Sequence, residues 1–319
     1  MRLTMSTSTY RKVTFAALVS LYIIVITGAL VRLTGSGLGC DDWPNCNDEK
    51  FVDVSSYHAR IEQLNRLFTG VVGVAVILAI AGALIRRPRR RDLTWLSLSL
   101  VAGVLGQALV GAVVVWTHLH PAAVQQHFLL SMVILAAAMT LHRRASLADD
   151  EMRVVRVDRS ILRHVWAVAV LTSLAIITGT VVTGTGPHSG QFDDPANPDL
   201  ADIRRFGFAI RSVAEVHSVT VLVTVAVTFW LMYRLRHHRD RPHLENQLSA
   251  FVFLCFVQGG IGYLQYFTGV PVALVAIHVG LSGAVFLAMV NVVLATREPV
   301  RRGDPVEQQP LGTPEPSAR

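Results

Sequence analysis

The sequence predicts an all-α, polytopic membrane protein: eight transmembrane helices built as two tandem four-helix bundles related by an internal repeat. Three observations predict it. Of the 319 residues, 52% are hydrophobic and only 16% charged, with a mean hydropathy of +0.46, whereas soluble domains carry about 25% charged residues. Apolar stretches recur every 25 to 40 residues along nearly the whole chain. Residues of the second half also repeat those of the first at an offset of 151. Soluble enzymes and nucleic-acid binders are excluded by this pattern.

A span needs about 20 mostly apolar residues, and eight segments meet that length: 13–33, 64–85, 93–116, 123–142, 164–184, 212–233, 248–267 and 272–295. The first follows Arg11 and Lys12 as a signal peptide would, but it runs through Val31-Arg32-Leu33-Thr34 without a small-residue cleavage site and is read as a span. The organisation is then a cytoplasmic N-terminus at 1–12, a first half at 13–142, a cytoplasmic linker at 143–163, a second half at 164–295 and a cytoplasmic tail at 296–319. From Pro299 onward that tail holds five prolines and no apolar run, so it is expected to be disordered.

Charge sets the orientation. Arg86 to Arg91, Arg143 to Arg163, Arg234 to Arg241 and the C-terminal arginines share one side with the N-terminus, which the positive-inside rule assigns to the cytoplasm of a plasma membrane. The loops at 34–62 and 185–211 then face outward with Asp41, Asp42, Asp48, Glu49, Asp53, Asp193, Asp194, Asp199 and Asp202. Cys40 and Cys46 lie in the first of these loops and are able to pair in an oxidising compartment, while Cys255 sits in an apolar run.

The repeat equates Ile26-Thr27-Gly28 with Ile177-Thr178-Gly179, Gln107 and Gly111 with Gln258 and Gly262, and His127 with His278. Each unit has an even number of spans, so the duplication is parallel, and shared sites belong where repeats place them.

Of twelve histidines, His142, His164, His237, His238 and His243 stand at cytoplasmic ends, and His58, His118, His120 and His188 stand in outer loops or at their edges. His127, His217 and His278 lie one to two turns inside even-numbered spans at similar depth, where an ionisable group is costly and marks a candidate site. Imidazoles directed inward from facing helices are the usual axial ligands of membrane haem. His217 and His278 are therefore candidate ligands of one b-type haem. The repeat sets His127 with a residue near position 65 or 66, taken as Asn65, a weak iron ligand. Glu62 lies about 4.5 Å before it on the same helix face, available either as a base or as the ion-pair partner of Arg66 at i+4.

The run Thr34-Gly35-Ser36-Gly37-Leu38-Gly39-Cys40-Asp41-Asp42-Trp43-Pro44, then Cys46, then Ile61-Glu62-Gln63-Leu64-Asn65-Arg66-Leu67, resembles the haem A synthase family, over about residues 13 to 295. The resemblance implies a membrane oxidoreductase that converts a ring methyl of haem O to the formyl of haem A, by successive hydroxylations and loss of water. It implies Glu62 as the functional carboxylate, His127 as first-half ligand to the substrate haem O, His217 and His278 as ligands of a haem b cofactor, and Cys40 with Cys46 as an outer-loop disulfide. Arg32 and Arg66, at outer helix ends, are candidate partners of haem propionates. Haem O synthase, cytochrome oxidase assembly and a second copy of the chain are the protein partners it raises. The chain departs from the family's Glu-x-x-His-Arg pattern at Asn65. Two other readings stay open on the residues alone: a b-type cytochrome that only relays electrons, which uses His217 and His278 but not Glu62, and a transporter, suggested by the repeat and glycine-rich spans.

Overall fold

A computed structural model describes residues 4–191, 204–236 and 242–301. Asp193, Asp194, Asp199, Asp202, His237, His238 and the tail from 302 onward lie outside the described residues. The chain forms α1 (Thr7–Leu33), α2 (Tyr57–Ile85), α3 (Arg91–Trp116), α4 (Pro121–Ala145), β1 (Glu151–Val155), α5 (Arg159–Thr185), α6 (Ile210–Leu235), α7 (Pro242–Phe267), α8 (Val272–Ala295) and β2 (Arg297–Arg301). All eight helices are long and apolar enough to cross a membrane, as the hydropathy predicts.

The helices outrun their apolar segments where polar residues cap or decorate the ends. Hydropathy places the start of α2 near 64, because Arg60, Glu62 and Gln63 are polar. The helix starts at Tyr57, with Ser56 Oγ accepting from the Ala59 N–H at 3.0 Å. Ser6 and Asp158 cap α1 and α5 the same way, and Pro121 stands at the start of α4, where its missing N–H costs nothing.

The duplication reaches the packing. At an offset of 151, the buried Tyr10, Thr14, Ala17 and Leu21 of α1 match the buried Ile161, Val165, Val168 and Thr172 of α5. Leu93, Ser97 and Leu100 of α3 match Leu244, Leu248 and Phe251 of α7. Met132, Ile134, Ala138 and Leu141 of α4 match Gly283, Val285, Met289 and Val292 of α8. The pair α2 and α6 is shifted by one: Val72, Val76, Ala79 and Ala83 match Thr224, Thr228, Leu231 and Leu235 at 152. Lipid tails are as apolar as these side chains, so the buried stripes act through close packing rather than through water exclusion, and the outward faces keep exposed residues such as Leu64, Leu105, Val133 and Phe253.

Each half is a ring of four helices. In the first, α1 touches α2 and α4, and α3 touches α2 and α4; in the second, α5 touches α6 and α8, and α7 touches α6 and α8. The diagonal helices stand apart: among the described residues no Cα of α2 lies within 8 Å of one in α4, nor one of α6 within 8 Å of α8. The halves meet through α1, α4, α5 and α8, with Tyr22 Oη donating to the Gly280 carbonyl at 2.8 Å and Gln125 Nε2 donating to Thr180 Oγ1 at 2.7 Å.

One expectation is corrected. Residues 297–301, assigned above to a disordered tail, form β2, antiparallel to β1 in the linker, with Glu151 opposite Arg301 and Val155 opposite Arg297. The strand is fixed because Arg153 Nη1 donates to the carbonyls of Leu294 and Arg297, satisfying groups left free at the end of α8.

Candidate functional site

The three intramembrane histidines occupy equivalent places. Each is seated against a glycine of the preceding helix: a Cβ built on Gly111 would stand 3.4 Å from His127 Cε1, one on Gly179 3.1 Å from His217 Cε1, and one on Gly262 3.0 Å from His278 Cε1. At Gly179 and Gly262 a Cβ would be tighter than ordinary contact and the imidazole would have to give by a few tenths of an ångström, while at Gly111 it would just touch. The carbonyls behind two of them are held alike, with Gln107 Nε2 donating to the His127 carbonyl and Gln258 Nε2 to the His278 carbonyl, both at 3.0 Å. His217 is oriented by Thr178 Oγ1, 3.1 Å from its Nδ1.

His217 on α6 and His278 on α8 come from diagonally opposed helices of one ring, and are near enough to interact electrostatically. Nδ1 of His127 and of His278 is buried with no hydrogen-bond partner. In the first ring the residue diagonal to His127 is Asn65, since the 152-residue register of α2 and α6 equates it with His217. Its Oδ1 is buried without a partner, and a Cβ on Gly28, the counterpart of Gly179, would meet nothing within 4 Å.

Above the first ring stands the cysteine loop. Cys40 and Cys46 form a disulfide with a Cα–Cα distance of 4.3 Å, and both are buried. The turn leading to it needs glycine twice: Gly35 has φ 68°, and a Cβ on Gly39 would stand 2.4 Å from the backbone of His58. Glu62, 6% exposed, reaches up into this loop. Its Oε2 accepts from the Cys40 N–H at 2.8 Å and its Oε1 from Arg66 Nη2 at 2.7 Å and Nε at 3.1 Å. Arg66 donates further to the carbonyls of Cys40, Asp42 and Asn45. All of its N–H groups point to protein acceptors, so Arg66 holds the cysteine loop.

Arg32 is placed differently. Its Nη2 donates to the carbonyls of Thr183 at 2.9 Å and His188 at 2.8 Å, while its Nε is buried and unpartnered. Arg205 donates to the same Thr183 carbonyl at 2.7 Å and to the Gly186 carbonyl, and its Nε is likewise unpartnered. Burial lowers the pKa of Arg205. Sequence reasoning missed this residue, although Arg204-Arg205 is a basic pair in a loop otherwise rich in aspartate.

A family model described as cytochrome oxidase assembly protein, COX15-CtaA, matches residues 11–56 and 50–290. The chain belongs to the COX15-CtaA family. Within that family it is similar to proteins named heme A synthase. One from Bacillus cereus is 28% identical over 291 residues, covering 88% of this chain and 91% of the relative; a second from another Bacillus cereus strain is 28% identical over 268 residues, covering 81% and 84%. One from Bacillus anthracis is 27% identical over 288 residues, covering 88% and 91%. The COX15-CtaA match spans Arg32, the cysteine loop, Glu62, Asn65, Arg66, the three intramembrane histidines and Arg205.

Proposed function

We propose that this COX15-CtaA protein is a haem A synthase, an oxidoreductase that takes the ring methyl of haem O to the formyl of haem A in the plasma membrane, with both termini cytoplasmic. The observation that carries the reading is the set of glycine-seated positions on diagonally opposed helices, three of them histidine.

Haem fits these residues on three counts. Two of the buried imidazoles keep Nδ1 unpartnered. The glycines let each imidazole lie close against its neighbouring helix. Among the described residues the diagonal helices do not pack directly on one another, so their inward side chains are free to meet a group held between them. His217 and His278 would hold a haem b cofactor, and His127 the substrate haem O. Bound iron supplies the oxidising and electron-relay chemistry.

The remaining residues orient and neutralise. Thr178 sets the His217 ring so that Nε2 is left for coordination. The buried guanidinium of Arg32, with Arg205 beside it, suits a carboxylate such as a propionate. Glu62, sequestered from water under the cysteine loop, is the one carboxylate buried near the first ring among the described residues, and we assign it the proton-handling role. The test is to express the chain in cells that make haem O but lack a haem A synthase and to identify the extracted haems by mass. Haem A is the expected product; haem B alone would favour an electron-relay cytochrome, and no pigment a transporter.

A further inference from the structure

The two rings differ at the position of His217. His217 fills the space against Gly179 and is met by Thr178 Oγ1 at 3.1 Å. At the equivalent place in the first ring the side chain is Asn65, Gly28 faces nothing within 4 Å, and Thr27 Oγ1 bonds only to the Ile24 carbonyl at 3.3 Å. The seat for an imidazole is thus retained on α1, glycine and threonine both, while the imidazole itself is missing from α2. The register leaves no other candidate: His58 lies two turns away toward the loop, and its Nδ1 is 2.9 Å from Ser36 Oγ. Asn65 also keeps a carboxamide oxygen buried without a partner. A buried acceptor oxygen met by no protein donor is costly, so its retention points to a hydrogen-bond donor that arrives from outside the chain.

We infer that the first-half haem has one protein ligand, His127, and that the side facing Asn65 and Gly28 takes a small neutral exogenous ligand, water donating to the orphan Asn65 Oδ1 or a diatomic gas accepting from the carboxamide NH2. This rests on reading the rings as haem pockets, and it deepens that reading by distinguishing an open pocket from a closed one. The closed pocket, with two imidazoles, suits electron transfer; the open one suits chemistry.

Carbon monoxide added to the reduced, purified, haem-loaded protein is the probe. One haem is expected to bind it and the other to stay low-spin. His127→Ala is expected to abolish the carbon monoxide signal while leaving the low-spin signal. Asn65→His restores the missing imidazole to a seat that already has its glycine and threonine, and is expected to convert the first-half haem to a low-spin form and abolish carbon monoxide binding. Asn65→Ala, which cannot ligate, is expected to retain binding. Failure of the unaltered protein to bind carbon monoxide overturns the inference, as does unchanged binding in Asn65→His. If haem A is still made in either case, the proposed function stands while this inference falls.

Discussion

Glu62 Oε2 accepts a 2.8 Å hydrogen bond from the backbone N–H of Cys40, so the carboxylate on α2 is tied directly to one end of the disulfide loop. The other oxygen is taken by Arg66, whose remaining N–H groups hold three carbonyls of the same loop. Loop, disulfide and carboxylate form one connected polar unit above the first ring, and perturbing any one is felt by the others.

Breaking the disulfide should therefore loosen the unit. Closing so short a loop is worth about 2 kcal/mol in the chain-entropy account, and Cys40→Ser is expected to lower the thermal midpoint accordingly, while peptide mapping of unreduced, alkylated protein recovers Cys40 and Cys46 crosslinked. Complete alkylation of both thiols without reductant would contradict the bridge.

Glu62→Gln keeps an acceptor for the Cys40 N–H but removes the charge that pairs with Arg66 and the capacity to take a proton. The variant should insert and retain its second-half haem while haem A formation falls about a hundredfold or more, the range of a general acid or base. Haem A output near that of the unaltered chain would leave Glu62 only the role of fastening the loop.

His217→Ala and His278→Ala should each abolish the same low-spin haem signal, because the two imidazoles stand on diagonally opposed helices of the second ring and neither alone would give two protein ligands. Persistence of the full low-spin spectrum in both variants would remove the pair from the site.

The loop after the disulfide should respond to acid through Asp53. Its carboxylate accepts from the Ser55 N–H at 3.0 Å and from Asn47 Nδ2 at 2.9 Å, with Lys50 Nζ at 3.8 Å. The Ser55 backbone bond, foremost, holds its pKa below the ordinary aspartate value. A lowered folded-state pKa means that the ordering it provides is complete above the ordinary value, about 3.9, and is lost as pH falls through the folded-state value. Amide exchange at Ser55 should quicken over that acidic window, and Asp53→Asn should remove the pH dependence; an unchanged acid response in the variant would assign it to another group.

The membrane class, the eight spans, the duplication and the intramembrane histidines are all legible in the amino-acid order, because the bilayer demands long apolar helices and makes each polar exception visible. The 151-residue offset is legible in Gln107, Gly111 and His127 and their counterparts, and it narrows the partner of His127 to position 65 or 66. What depends on contacts distant along the chain came instead from the fold. It shifted the α2 and α6 register by one residue, through the burial of Val72, Val76, Ala79 and Ala83. It made Arg66 the clasp of the cysteine loop, through the Asp42 and Asn45 carbonyls. It brought Arg205 to the Thr183 carbonyl beside Arg32, and it paired residues 297–301 with the linker. Hydropathy reports which segments avoid water; which polar atom meets which, once they are folded, is fixed by packing across the bundle, and no local pattern encodes it.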